Sequence, residues 1–189
     1  GQLMVNSGTI VVTNPLVMHG GDASTVYNGA LQALNGSDVT WSGPVLVSQS
    51  LTRVTVNNGS TIRFTGGIGG AQQINFSALS GSIIIENLPI ITGPGLFYFS
   101  GGNNDLGTNY LNVAGNVFSD AWIWQGGLLV LGAENALPTN VNLTIGDPRS
   151  EGYNTRGTLD LNGHNQRIGN LFPGCSFLAS FVTNRSATH

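Results

Sequence analysis

The sequence predicts an all-β fold, a single right-handed parallel β-helix (β-solenoid) of irregular coils spanning residues 1–189. Three observations carry the prediction: short alternating segments from end to end, corner residues between them that accept a left-handed backbone, and one strand unit that recurs. The segments are Thr9–Thr13, Ala30–Leu34, Val45–Ser48, Val54–Val56, Thr61–Thr65, Ser82–Glu86, Leu96–Phe99, Tyr110–Val113, Leu128–Leu131, Val141–Ile145 and Thr158–Leu161. They have the two-residue period of strands, and no window of a dozen residues has a helical period. Asn35-Gly36, Asn58-Gly59, Asn162-Gly163 and Gly101-Gly102-Asn103-Asn104 punctuate them, and Gly and Asn are the residues that turn tight corners at least steric cost.

The recurring unit separates a solenoid from a sandwich, because a solenoid stacks one supersecondary unit on itself and a sandwich need not. A Gly or Ser leading into an apolar–x–apolar strand begins at Gly8, Gly29, Ser60, Gly81, Gly127 and Gly157. Successive separations of 21, 31, 21, 46 and 30 residues correspond to one or two coils with loops of variable length. About eight coils, each adding ~4.8 Å, make a rod on the order of 40 Å long.

Composition narrows the class. Glycine is 28 of 189 residues, and charged residues are 8% where about 25% is usual. Hydrophobic residues at 40%, many of them β-branched, are enough to drive folding, so disorder is excluded. Apolar runs such as Ile83-Ile84-Ile85 fall far short of the roughly 18 residues of a membrane helix, so no membrane insertion is expected. The six basic residues are all Arg, scattered singly in a chain of net charge −3, which argues against nucleic-acid partners. A surface of Asn, Ser, Thr and Gly points instead to an extracellular or cell-surface setting. Cys175 is the only cysteine, so no internal disulfide or cysteine-rich zinc site is possible, and it reads as a small buried residue. No signal peptide is visible in the sequence, and the chain is expected to be a mature or internal fragment.

Several stretches resemble a known family. Gly29-Ala30-Leu31-Gln32 through Thr40-Trp41-Ser42-Gly43-Pro44-Val45, followed by the strand and Gly-Gly-Ile-Gly-Gly corner of Thr61–Gly70, is similar to the autotransporter-associated β-strand repeat family. The second half repeats the resemblance in Gly127–Pro138, Val141–Gly146, Gly157–Gln166 and Ile168–Leu171. The matching stretches cover about half of the chain and leave out the aromatic-rich middle from Asn75 to Gln125. The resemblance implies a parallel β-helix, export, and a passenger or stalk role, and it carries no catalytic motif to transfer.

Candidate sites are few. Trp122 and Trp124 stand two apart and share one side of a strand, as do Phe97 and Phe99 with Tyr98 opposite. Exposed, such pairs stack on sugar rings; within a wide coil they are core, which is the commoner fate of large aromatics. A polysaccharide lyase or glycoside hydrolase needs clustered carboxylates, and only Asp147, Arg149 and Glu151 gather locally, in a loop where charges are usually solvated. His164, in Gly163-His164-Asn165, reads as a corner residue beside a polar ladder. His19 and His189 share no spacing with it, so neither a metal nor another cofactor is expected.

Function is therefore expected to be structural or adhesive: a surface stalk, a passenger segment or a self-associating fibre subunit. A carbohydrate-binding module using exposed aromatics is the alternative, with an enzyme third. Phe181–Thr188 reads as the opening of another repeat, and no capping helix is visible at either end. Expected partners are accordingly further repeats of the same polypeptide or other copies at the solenoid ends, together with glycans or host surface proteins.

Overall fold

The computed structural model describes residues 2–20, 29–70, 72–101, 107–146, 156–174 and 180–186, with only the backbone of 92–94. Among them are nineteen strands and no helix, and every strand pair is parallel. The chain winds as a β-solenoid with three faces. The first face stacks β1 (Leu3–Val5), β4 (Leu31–Ala33), β7 (Thr52–Val56), β10 (Ile74–Ala78), β12 (Ile90–Ser100), β14 (Val117–Trp124), β16 (Asn142–Ile145) and β18 (Asn170–Pro173). The second stacks β2 (Thr9–Val12), β5 (Asp38–Trp41), β8 (Thr61–Phe64), β11 (Ser82–Ile85), β13 (Thr108–Leu111), β15 (Gly127–Leu131), β17 (Gly157–Asp160) and β19 (Phe181–Thr183). A shorter third face holds β3 (Leu16–Met18), β6 (Val45–Val47) and β9 (Ile68–Gly69), and continues into the first residues of β12 and β14. Those two long strands turn the corner, β12 with register shifts between Ile91 and Leu96. Eight strands per long face set a rod of ~34 Å at ~4.8 Å per step.

The register explains the glycine-led unit. The residues at or just before the start of the second-face strands form one column: Gly8, Ser37, Ser60, Gly81, Gly107, Gly127, Gly157 and Ser180. All are Gly or Ser: at Gly81, Gly107, Gly127 and Gly157 the corner brings the column against carbonyls of the preceding coil, whereas Gly8, in the first coil, takes a φ of 84° with open space beside it. A Cβ on Gly107 would lie 1.7 Å from the Ala78 carbonyl oxygen, one on Gly81 2.2 Å from that of Ser60, and one on Gly157 2.1 Å from that of Ile123. Ser37 and Ser60 fit because they bond where they are crowded: Ser37 Oγ donates to the Val5 carbonyl (3.3 Å) and Ser60 Oγ accepts from the Ser37 amide (3.2 Å). Gly29 does not belong to this column. It leads the first-face strand β4, where a Cβ would lie 2.8 Å from the Arg53 carbonyl oxygen. Just upstream of the column, Asn35, Asn58 and Gln125 take positive φ, each followed by a positive-φ glycine. Asn58 Nδ2 donates to Asn35 Oδ1 (3.1 Å) and Asn35 Nδ2 to Asn6 Oδ1 (2.8 Å), an amide ladder that ties three coils.

One hydrophobic core runs through the coils from Met18 to Leu159. On the second face Ile10, Val39, Ile62, Ile83, Asn109, Leu129, Leu159 and Val182 stack in one inward ladder. The first face contributes Leu31, Val54, Phe76, Phe99, Ile123 and Ile145. The aromatic middle of this core is a cluster of packed rings. Phe76 sits 6.3 Å from Phe64, 6.0 Å from Phe97 and 5.8 Å from Phe99, and Phe97 reaches Phe118 at 4.6 Å.

Two features depart from simple alternation. Strands β7 and β10 are buried on both sides, as parallel strands often are, so Thr55, Asn75 and Ser77 on the outer rows are removed from solvent. Asn75 Oδ1 accepts from Ser77 Oγ (3.1 Å) and Ser100 Oγ (3.0 Å), which compensates the burial. Asn109, by contrast, interrupts an apolar ladder with an amide whose oxygen has no partner and whose nitrogen makes only a 3.4 Å bond to the Ser100 carbonyl.

Two stability measurements check this reading. Gly107→Ala is expected to lower stability by about 1–3 kcal/mol through overpacking, whereas Gly59→Asn, at φ 71° facing open space, should cost less than about 1 kcal/mol because Asn tolerates that conformation. Asn109→Leu, a change of nearly equal shape, should stabilise the protein by about 1 kcal/mol in chemical denaturation by removing the unpaired buried oxygen.

Candidate functional site

Strand β14 settles the fate of the four aromatics singled out from the sequence. Ala121 and Ile123 point inward, so Asp120, Trp122 and Trp124 project from the outer side of the first face, and both indoles are partly exposed. In β12 the parity is opposite. Phe97 and Phe99 pair with Ala121 and Ile123 and are wholly buried, which removes them from any binding surface. The aromatic that joins the tryptophans is Tyr98, directly opposite Trp122 in the ladder. Its ring lies 5.6 Å from Trp122, nearly perpendicular at 72°, and 5.3 Å from Trp124, tilted at 43°. The relative register of two strands decides this grouping, and no single segment of sequence reveals it.

A polar row runs alongside. Leu96, Asp120, Asn142 and Asn170 are aligned across four successive coils. Asn170 Nδ2 donates to Asn142 Oδ1 (2.9 Å), Asn142 Nδ2 donates to Asp120 Oδ1 (3.1 Å), and Ser119 Oγ donates to Asp120 Oδ2 (2.5 Å). A carboxylate only accepts, so it gives the whole amide row one direction. Beyond Trp122 the aromatic row continues as Thr144 and the exposed Phe172.

The remaining candidates are structural or lie elsewhere. Asp147, Arg149 and Glu151, like Cys175 and His189, lie outside the described residues. His164 stands at a corner with Nδ1 3.6 Å from Glu134 Oε1, while Glu134 Oε2 accepts from the Asn165 amide (2.9 Å). In the same corner the Gln166 amide pairs with both backbone groups of Leu137, at 2.9 Å and 3.0 Å, and Asn135 Oδ1 accepts from the Arg167 amide (2.9 Å). The Asn-Ala-Leu-Pro and Asn-Gln motifs thus lock one corner to the next. His19 Nδ1 meets Ser48 Oγ at 2.8 Å on an exposed corner. Among the described residues no three His, Cys, Asp or Glu side chains gather as metal ligands.

Two apolar surfaces stand out. On the third face Val17, Leu46, Ile91 and Val117 are exposed in one outward row with Gly69 at its middle, and the first three line an open groove of about 540 Å³ bordered by Pro15, Pro44 and Pro89. At the ends of the rod, Leu3 and Ile10 in the first coil and Leu171 and Val182 in the last are exposed, although their ladder partners Leu31, Val39, Leu143 and Leu159 are buried.

Comparison with protein-family models, curated proteins and solved structures finds no match for this chain. The opposite parities of the two aromatic pairs give a direct check: Phe99→Ala should cost about 3–5 kcal/mol in denaturant unfolding, and Trp124→Ala, on the partly exposed side, markedly less.

Proposed function

We propose that this chain is a structural segment of an extracellular β-solenoid rod, a stalk, passenger or fibre element whose terminal coils are continued by further coils of the same kind. The carrying observation is the state of the end coils. Leu3, Ile10, Leu171 and Val182 occupy ladder positions that are core one coil further in, yet stand exposed. Among the described residues β1 and β2 at one end and β18 and β19 at the other have no strand on their outer side. Unpaired parallel edges beside exposed core favour strand addition.

Three further observations support this reading over a polysaccharide hydrolase or lyase. Asp160 Oδ1 accepts from the backbone amides of Asn162 (2.9 Å) and Arg185 (3.0 Å), Glu86 faces Arg63 at 3.6 Å, and Asp120 anchors the amide row. These carboxylates hold corners and rows together. The lysine-free, weakly charged surface and the resemblance to the autotransporter-associated β-strand repeat favour an exported, surface-displayed setting.

Light scattering across a concentration series tests the proposal. The protein is expected to associate end to end, forming particles that lengthen along one axis in electron micrographs. The double variant Ile10→Lys, Val182→Lys should stay monomeric with little change in melting temperature, because both sites are already exposed. A wild-type protein that is monomeric at every concentration, or association undiminished in the double variant, would overturn it.

A further inference from the structure

We propose that the outer side of the first face around Asp120, Trp122 and Trp124 is a binding surface for a neutral oligosaccharide. This goes beyond the rod reading, which rests on the end coils, so either can fail alone.

The inference starts from what one strand presents. Alternate residues of β14 place a carboxylate and two indoles in a line on one side, and the next strand adds Tyr98 against both indoles. The Tyr98 ring is only 7% exposed, so it acts as the backing that fixes the two tryptophans, which are themselves partly open to solvent. A ring held in this way loses little freedom on binding, which is what makes aromatic side chains effective contact groups. Pyranose rings present an apolar C–H face to such a platform and a rim of hydroxyls around it.

The hydroxyl rim needs both donors and acceptors at the platform's edge. Asp120, Asn142 and Asn170 supply them in consecutive coils, spaced ~4.8 Å apart. Within their row each amide nitrogen uses one of its two hydrogens, and the other is available to a ligand oxygen. The side chains are held in register by their mutual bonds, so the row is ordered before any ligand arrives. A few fixed polar groups beside aromatic rings are the usual composition of a small-molecule site.

Charge selects the class of sugar. From Tyr98 to Phe172 the one ionised group in these two rows is Asp120, which repels uronates and sulfated sugars. Further along the tryptophan row Arg53 is two coils from Tyr98 and 8% exposed, and Arg156, whose carbonyl accepts from the Gly126 amide (2.9 Å), leads the second face past the end of β14. A neutral chain is therefore the matching ligand, lying along β14 so that successive units meet Trp124, Trp122 and then the amide row at Asp120.

The test is titration with β-1,4-glucan, β-1,4-mannan, α-1,4-glucan and chitin oligosaccharides, with polygalacturonate as an acidic comparison, followed by tryptophan fluorescence and calorimetry. Trp41 is 4% exposed with its indole nitrogen donating to the Asn14 carbonyl, so a ligand-induced change reports on Trp122 and Trp124. Saturable binding of at least one neutral oligosaccharide is expected, weakened about tenfold or more in Trp122→Ala and lost in the Trp122→Ala, Trp124→Ala double variant. Trp122→Tyr, which keeps a ring, should retain partial binding, and Asn142→Leu should weaken it. Leu46→Ser on the third face should leave it unchanged, and melting curves establish that each variant is folded. No saturable binding to any neutral oligosaccharide, binding unchanged in the folded double variant, or preference for polygalacturonate would overturn the proposal.

Discussion

The corners of each coil pass within van der Waals reach of the carbonyl oxygens of the coil before it, and the corner between the first and second faces keeps that approach through successive coils at Gly81, Gly107, Gly127 and Gly157. No ordinary Cβ fits beside the Ala78, Ser60 or Ile123 carbonyls. The column is held to glycine at Gly81, Gly107, Gly127 and Gly157, and the positive-φ pairs before Ser37, Ser60 and Gly127 aim the chain into the next strand. Everything else in the fold inherits its position from this corner. Once the column is stacked, every second-face strand starts at the same height, and the inward ladders of Val, Ile, Leu and Phe coincide without further adjustment. Loops absorb the differences in coil length, 20 residues from Gly107 to Gly127 and 30 from Gly127 to Gly157. Burial on the core side then rewards each added coil, since a coil alone can hide only part of its apolar face.

Much of this was legible in the sequence, for a physical reason. All eleven alternating segments overlap observed strands, because a period of two marks a strand with one side buried. Eight strands have no counterpart among them: β5 (Asp38–Trp41) escaped notice although it alternates, β18 and β19 are end strands with little burial, and in the other five the condition fails. β10 is buried on both sides and reads as Ile-Asn-Phe-Ser-Ala, in which inner apolar and outer polar residues are both hidden. β14 starts on the third face and ends on the first, so its pattern mixes two environments. β1, β3 and β9 are two or three residues long, too short to show any period. The glycine-led unit was visible at five of its eight column positions. Ser37, Gly107 and Ser180 became recognisable only through register, and Gly29 proved to lead a different face.

The surface chemistry was less legible than the fold. Trp122 with Trp124 and Phe97 with Phe99 have the same spacing, and no local feature tells which pair faces out. Their strands are adjacent, and opposite parity sends one pair into the core beside Phe76 and the other onto the surface beside Tyr98. The amide row is harder still, since Asp120, Asn142 and Asn170 are separated in sequence by whole coils. Asparagine in a solenoid does several jobs: it turns corners at Asn35 and Asn58, pairs with hydroxyls at Asn75, and builds the row at Asn142. The unpaired oxygen of Asn109, alone in an apolar ladder, fits none of these roles.

In-register parallel stacking is the claim on which the rod, its end surfaces and the outer rows all depend. It is tested most directly by electron–electron distance measurements between spin labels placed on one outward column of the second face, in a Cys175→Ser background. Labels at Thr9 paired in turn with Thr108, Thr158 and Phe181 are separated by four, six and seven coil steps. Stacking predicts backbone separations of ~19, ~29 and ~34 Å, rising by ~4.8 Å per coil whatever the loop lengths between. Distances that fail to increase with coil number, as in an antiparallel sandwich where distant segments return to neighbouring strands, would contradict it.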